Sequence, residues 1–418
     1  MRPLDVRRAS VASTPNQRMH LVGCAVALAL LSAGLVAGTR YARWQERDLA
    51  YVLAPRQFAQ KNQGRALQAA ALDRSDLLPI YGSSELDQYF GPFHGGPFFS
   101  TAPTGFALFT VGKEGTTSLH IVQQLASLGA SLRERKVAIS ISPSWYTYGV
   151  ASNPDYYAGS FSRLHANALA FSPDLSYDLR SDVARRMLQF PDSLQSDPLL
   201  RFALERLAGG SLLDRVGYAL VFPLGQLQSV VLRLQDHWEV LASVGRQANA
   251  SVAVAPESQP LDWDAVLAQA DRESRERADN NPFGFDRDLY ARNADKLQQQ
   301  RRSRSSAAFQ RALDQSIGWT DLDLLLRELR ELGARPLLLS PPLPGTFYDF
   351  WGVYAPARQA YYDRLRQTVR RYGVPLVSFD DHDGDRLFVV DERSHLSQKG
   401  WAQYDRVLDA FYHDRLGA

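Results

Sequence analysis

Two stretches at opposite ends of the 418-residue chain carry the residue types that nucleophilic chemistry needs. The first is Leu77-Leu78-Pro79-Ile80-Tyr81-Gly82-Ser83-Ser84-Glu85-Leu86, an apolar run that stops at a glycine and hands over to two serines and an acid. A strand running into a Gly-Ser turn at the start of a helix lifts a hydroxyl out of the sheet and points helix N-terminal amides at it. That arrangement suits a nucleophile, because the amides stabilise the oxyanion that develops in acyl transfer. The same pattern also serves plain helix capping, so a base is required before it means chemistry.

The second stretch supplies that base. In Asp391-Glu392-Arg393-Ser394-His395 an acid precedes a histidine by three residues (Glu392) or four (Asp391), on a turn entering the last helix. A carboxylate so placed fixes the imidazole in one tautomer and stabilises its charged form, and the imidazole then draws a proton from a serine. The other histidines compete poorly. His20 lies in an apolar run, and His120, His165, His237 and His413 fall within helical patterns. His382 sits in an acidic turn, Asp380 to Asp385, whose spacing does not match a calcium loop. His94, in the glycine-rich Gly91 to Gly96 loop, is a bystander candidate. No metal site and no cofactor are expected.

The elements around these residues read as an α/β domain. Leu77 to Tyr81, Phe106 to Val111, Val137 to Ile141, Pro336 to Ser340 and Val374 to Phe379 read as strands, with amphipathic helices between them. Strand, turn, helix and strand at these spacings imply a parallel sheet with its active loops at the strand C-termini. Residues 160–310 are expected as a helical insertion, whose basic cluster Arg301-Arg302-Ser303-Arg304 reads as a solvated helix face. The 21 residues from Met19 to Thr39 contain no Asp, Glu, Lys or Arg, enough to cross a bilayer core of about 30 Å. An uncleaved anchor is expected there, after a basic cytoplasmic tail over 1–18 and before a helical stalk over 40–76, leaving 77–418 as the globular body. The net charge of +2 offers no broad basic field for nucleic acid, and the single cysteine, Cys24, excludes disulfides within that body.

A serine early and an acid-histidine pair late on an α/β sheet is the order found in Ser-Gly-Asn-His (SGNH) hydrolases, which have a three-layer fold. The resemblance extends further. Tyr81-Gly82-Ser83-Ser84-Glu85-Leu86, Gly115-Thr116-Thr117-Ser118-Leu119, Ile141-Ser142-Pro143-Ser144-Trp145-Tyr146 and His395-Leu396-Ser397-Gln398-Lys399-Gly400-Trp401 resemble the ordered motifs of the DltD family. So do Leu188-Gln189-Phe190-Pro191 and Asn281-Pro282-Phe283-Gly284.

This resemblance implies a protein held by one N-terminal helix in the cytoplasmic membrane, with an SGNH-like domain outside it. It also implies a role in D-alanylation of teichoic acids or an equivalent envelope polymer, beside a multi-spanning membrane O-acyltransferase fed by a D-alanyl carrier. Carried over by position, the nucleophile falls on Ser84 and the base on His395. The family has Asp three before the histidine, where this chain has Glu392 with Asp391 next to it, so both acids stay open. Ser142-Pro143-Ser144-Trp145 stands where SGNH hydrolases have asparagine, so the oxyanion would rely on backbone near Ser83, Ser84, Gly115 and Thr116, with Trp145 beside the substrate. Phe98, Phe99 and Trp351 either shape such a site or belong to the core. Two other functions remain open: an extracytoplasmic esterase or thioesterase, and a non-enzymatic docking partner of the acyltransferase.

Overall fold

All five apolar runs enter one sheet. In the computed structural model, which describes residues 15–86, 91–244 and 257–416, β1 (Leu77–Gly82), β2 (Ala107–Gly112), β3 (Lys136–Ser140), β4 (Arg335–Leu339) and β5 (Leu376–Val377) lie in the order β2-β1-β3-β4-β5. Every neighbouring pair is parallel. The last strand is shorter than its apolar run because Pro375 has no amide to donate and Phe379 turns to φ 42°. β1 and β2 are buried at every position, as parallel strands covered on both faces must be.

The order of the strands positions the site. The chain steps from β1 outward to β2, then crosses back over β1 to β3 and onward to β4 and β5. Right-handed crossovers therefore put the first connection on one face and the later ones on the other. Helix Gly95–Thr101 accordingly packs with the C-terminal helix Gln398–Tyr412, and helix Ser118–Leu128 packs with helix Gly318–Leu332. The direction reverses between β1 and β3, and the crevice beyond their C-terminal ends is where such sheets bind ligands. β1 ends there, at the two serines.

Glycines at the tips of β1 and β2 make the turn possible. Gly82 and Gly112 are register partners. A Cβ on Gly82 would lie 2.6 Å from Glu85 Oε1, and one on Gly112 would lie 2.8 Å from Leu86 Cβ. Only with both side chains absent can Ser83 to Leu86 fold back across the strand ends.

Helix Pro15–Leu53 is continuous over 39 residues. Its Met19–Leu53 part is long and apolar enough to cross a membrane, with a mean hydropathy of 2.3 in its most apolar window. Of the basic tail expected over 1–18, residues 1–14 lie outside the described residues and 15–18 form the start of this helix. Residues 40–76, expected as a stalk, continue this helix and add helices Ala59–Gln63 and Ala66–Leu72. Leu49, Leu53, Leu67 and Leu72 are buried in the same core as the sheet. The described part of the stretch expected as an insertion, 160–310, is built of helices, from helix Arg163–Ala170 to helix Ser306–Gln315. Arg301 to Arg304 form a turn between two helices rather than a helix face, and Arg304 lies 4.8 Å over the Trp351 ring.

Candidate active site

Past Gly82 the chain makes a 3₁₀ turn, Ser84–Leu86, and residues 87–90, into which the helix expected there would run, lie outside the described residues. Glu85 folds back beneath it, and its Oε1 accepts from the Ser83 amide at 2.9 Å. The two serines then diverge. Ser83 Oγ points to the Lys113 carbonyl at 3.4 Å, while Ser84 Oγ lies 2.8 Å from His395 Nε2. Ser84 is half-buried and His395 is 4% exposed, so the imidazole is covered while the hydroxyl keeps partial access to solvent.

His395 reaches this point on a short hairpin. Val390 N donates to His395 O at 2.8 Å, and Val389 bridges Leu396 antiparallel. Ser394, buried with φ 67°, makes the tight reversal that throws the imidazole back over the loop. Asp391 fills the loop. Its Oδ1 accepts from the Arg393 and His395 amides at 3.0 and 3.3 Å, in the manner of an Asx turn, and its Oδ2 meets His395 Nδ1 at 2.5 Å. Glu392 is placed differently. Its carbonyl accepts from the Tyr148 hydroxyl at 3.3 Å, and its carboxylate is not bonded to the imidazole. Of the two acids left open by the spacing, the one joined to the histidine is therefore Asp391.

The electrostatics follow from burial and pairing. Burial favours the neutral carboxyl of Asp391, yet the His395 charge and hydrogen bond outweigh it and hold the group below the usual carboxylate range. Burial likewise lowers the His395 pKa, but the charge and hydrogen bond of Asp391, with a contribution from Glu85, leave it raised. Burial pushes Glu85 itself up, and Glu392 is pushed up by burial and by the charge of Asp391. An ionised Asp391 only accepts, so Nδ1 carries the proton and Nε2 accepts from Ser84. The arrangement can remove a serine proton at one nitrogen while stabilising the resulting cation at the other.

The remaining expected residues divide. The Ser83 amide is held by Glu85, and the Thr116 amide donates to the Lys113 carbonyl at 3.0 Å. Both are therefore engaged before any substrate arrives. Gly115 has φ +81°, and a Cβ there would meet the Tyr156 ring at 2.6 Å, so the loop after β2 admits only glycine at that point. Trp145, expected beside substrate, is 1% exposed. Phe99 and Trp351 are also buried, which makes these three rings core, and Phe98 is partly buried against that core. Ser142 Oγ and Ser144 Oγ bond each other at 2.8 Å. His94 is buried with its ring 4.3 Å from that of Trp401, and burial lowers its pKa to about 4.

Several residues that the sequence places only within a motif, or not at all, support the site. Glu85 was read only as part of the serine motif. Asn281 ties its own turn, accepting from the Phe283 and Phe285 amides, and Asp286 N donates to Val390 O at 3.0 Å, bracing the hairpin that carries the acid. A cavity of ≈ 170 Å³ opens beside Asp391 and His395, lined from helix Arg287–Gln299 by Tyr290, Asn293 and Lys296. Their spacing of three was the available signal, obscured by an otherwise polar helix.

The likenesses to known proteins cover the same ground. The chain is 27% identical over 370 residues to Protein DltD of Bacillus subtilis (strain 168), covering 88% of this chain and 89% of that one. It is 26% identical over 347 residues to Protein DltD of Staphylococcus aureus (strain NCTC 8325 / PS 47), covering 82% and 83%. The family model described as DltD protein matches residues 54–413, a span that holds the sheet, the insertion and both halves of the serine-histidine pair. By that match, the chain belongs to the DltD family.

Proposed function

We propose that this protein transfers a D-alanyl group to hydroxyls of a cell-envelope polymer through an acyl-enzyme on Ser84. The observation that carries the proposal is the unbroken chain Ser84 Oγ, His395 Nε2, His395 Nδ1, Asp391 Oδ2, with links of 2.8 and 2.5 Å. Ser84 Oγ attacks the acyl carbonyl of the donor as its proton passes to His395 Nε2. The carbonyl becomes an oxyanion facing the backbone amides of Ser84 and Gly115, since those of Ser83 and Thr116 are already engaged. Collapse expels the donor's leaving group, which takes the proton from His395 and leaves the acyl ester on Ser84. An acceptor hydroxyl then gives its proton to His395 and attacks that ester. The second collapse returns the proton to Ser84 Oγ and releases the acylated polymer.

The family's place in D-alanylation supplies the acyl group and the envelope polymer in this reading. Helix Pro15–Leu53 anchors the body on the outer side of the membrane, beside a membrane O-acyltransferase that delivers the acyl group. The cavity at Asn293 and Lys296 offers polar contacts to the acceptor next to the imidazole.

The test is surface D-alanine ester content in cells carrying wild type, Ser84→Ala or His395→Ala at matched protein levels. Loss in both variants is expected. Retention in both sinks the acyl-enzyme and leaves a docking role. Rapid hydrolysis of a model ester that no acceptor slows would instead indicate an esterase.

A further inference from the structure

Outside the N-terminal helix, most of the exposed large hydrophobic side chains among the described residues belong to one other helix. Among the described residues, nine of the twelve exposed large hydrophobics beyond that first helix lie on Leu212–Val244. Leu213, Val216, Leu220, Leu224, Leu227 and Val231 follow each other at intervals of three or four, which makes a single stripe. Leu213, Leu220 and Leu227 are 82%, 74% and 62% exposed, far above what an isolated surface leucine needs explaining for. The 17 residues from Val216 to Leu232 contain no charged side chain. The opposite face is packed on the insertion, where Tyr218 bonds the Ala170 carbonyl at 2.8 Å and Ser229 bonds Asn167 at 2.5 Å. The stripe is thus the uncovered side of a firmly docked helix.

Its position relative to the anchor says what covers it. His237 Nδ1 lies 2.6 Å from Glu46 Oε1 on the N-terminal helix, and Arg233 faces Arg43. Residue numbers rise together on the two helices, so they run in the same direction where they meet. The stripe at 213–231 therefore extends from this junction toward the membrane-spanning part of the anchor. Trp44 and Trp238, 61% and 73% exposed, flank the junction, and Arg40, Arg43 and Arg47 cluster there. Exposed tryptophan and basic side chains at one level mark the headgroup region of a bilayer.

We infer that the exposed face of helix Leu212–Val244 is embedded in the membrane leaflet next to the anchor, with lipid acyl chains as its occupant. The uncharged run is only at the lower limit for a full span, and the face with Gln226, Gln228 and Ser229 is bonded to the protein, so the helix lies in the interface rather than across it. Two contacts, the anchor and this face, then fix the orientation of the body over the bilayer. A single helix would leave the body free to swivel.

The experiment uses the full-length protein in vesicles of phosphatidylethanolamine and phosphatidylglycerol. In a Cys24→Ser background, Leu220→Cys and Leu224→Cys are each labelled with an environment-sensitive fluorophore, and Arg201→Cys, on the exposed face of a neighbouring helix, serves as the aqueous control. All three positions are exposed, so the fold does not depend on them. Blue-shifted emission and about twofold or greater quenching by acyl-brominated lipid at 220 and 224, but not at 201, is expected for an interfacial helix. Aqueous emission without quenching at both positions overturns the inference and assigns the stripe to a protein partner instead.

Discussion

Asp391 holds His395 at two points, Oδ2 to Nδ1 at 2.5 Å and Oδ1 to the backbone amide at 3.3 Å. The acid thereby fixes both the ring and the loop that carries it. This assigns different consequences to two neighbouring carboxylates. Asp391→Asn is expected to lower the rate at which Ser84 is acylated by an activated ester by about 10³- to 10⁴-fold, the scale on which triad acids act through tautomer and charge. Glu392→Gln, which leaves the imidazole contacts intact, is expected to stay within about threefold, an effect too small for a triad acid. Burst kinetics with a chromogenic ester distinguish the two, and equal losses would remove the assignment.

The acylation rate should also carry the signature of a raised imidazole pKa. Only neutral His395 accepts the serine proton, so the rate rises with pH through the pKa of His395. That pKa lies above the ordinary histidine value of about 6.5, because Asp391 and Glu85 outweigh the opposing effect of burial. The acid limb of the profile is therefore displaced upward in the wild type. In Asp391→Asn the limb moves down, since burial then acts with less opposition. A limb that stays in place in this variant would show that another group controls it.

A buried ion pair joins helix Tyr177–Met187 to helix Gly318–Leu332. Arg186 Nε meets Asp321 Oδ1 at 2.8 Å, with side chains 3% and 0% exposed, and the guanidinium also bonds the Ala151 carbonyl and Gln189. Asp321→Ala leaves that guanidinium buried without a counter-charge and is expected to cost about 3 to 5 kcal/mol. Urea denaturation of the detergent-solubilised protein measures this directly. A loss under about 1 kcal/mol would mean that the pair behaves as a surface bridge.

Lys61 links the end of the N-terminal helix to the sheet. Its Nζ donates to the Leu53 and Ala54 carbonyls at 2.9 and 3.1 Å, and burial lowers its pKa to about 7. The unfolded chain, with an ordinary lysine, holds a proton that the folded chain has released between about pH 7 and 10.5. Stability should therefore rise with pH across that window, by up to about 1.4 kcal/mol per unit, and be indifferent to this group below it. In Lys61→Met this contribution should be lost, so the slope should be shallower than in the wild type. Denaturation midpoints at pH 7 and pH 9 for both proteins provide the check.

The sequence by itself determined the parts that rest on local chemistry. Five apolar runs bounded by turn residues became five strands, because parallel strands buried on both faces leave an unbroken apolar signature. Gly82, the serine pair and His395 were legible because a strand end, a small residue and a hydroxyl make a short local pattern. The apolar run from Met19 was legible for the same reason. Tertiary structure decided the rest. Asp391 and Glu392 differ by one position, and only the reversal at Ser394, with φ 67°, sets which carboxylate faces the ring. Ser83 and Ser84 differ only in direction, set by Glu85 folding beneath Gly82. Residues 40–76 carry helical periodicity whether they stand alone or pack into a core, and what Leu49, Leu53, Leu67 and Leu72 touch lies far away in the chain. For the same reason, the leucines of helix Leu212–Val244 match a core helix in sequence, and only their exposure shows that none of the described residues packs on them.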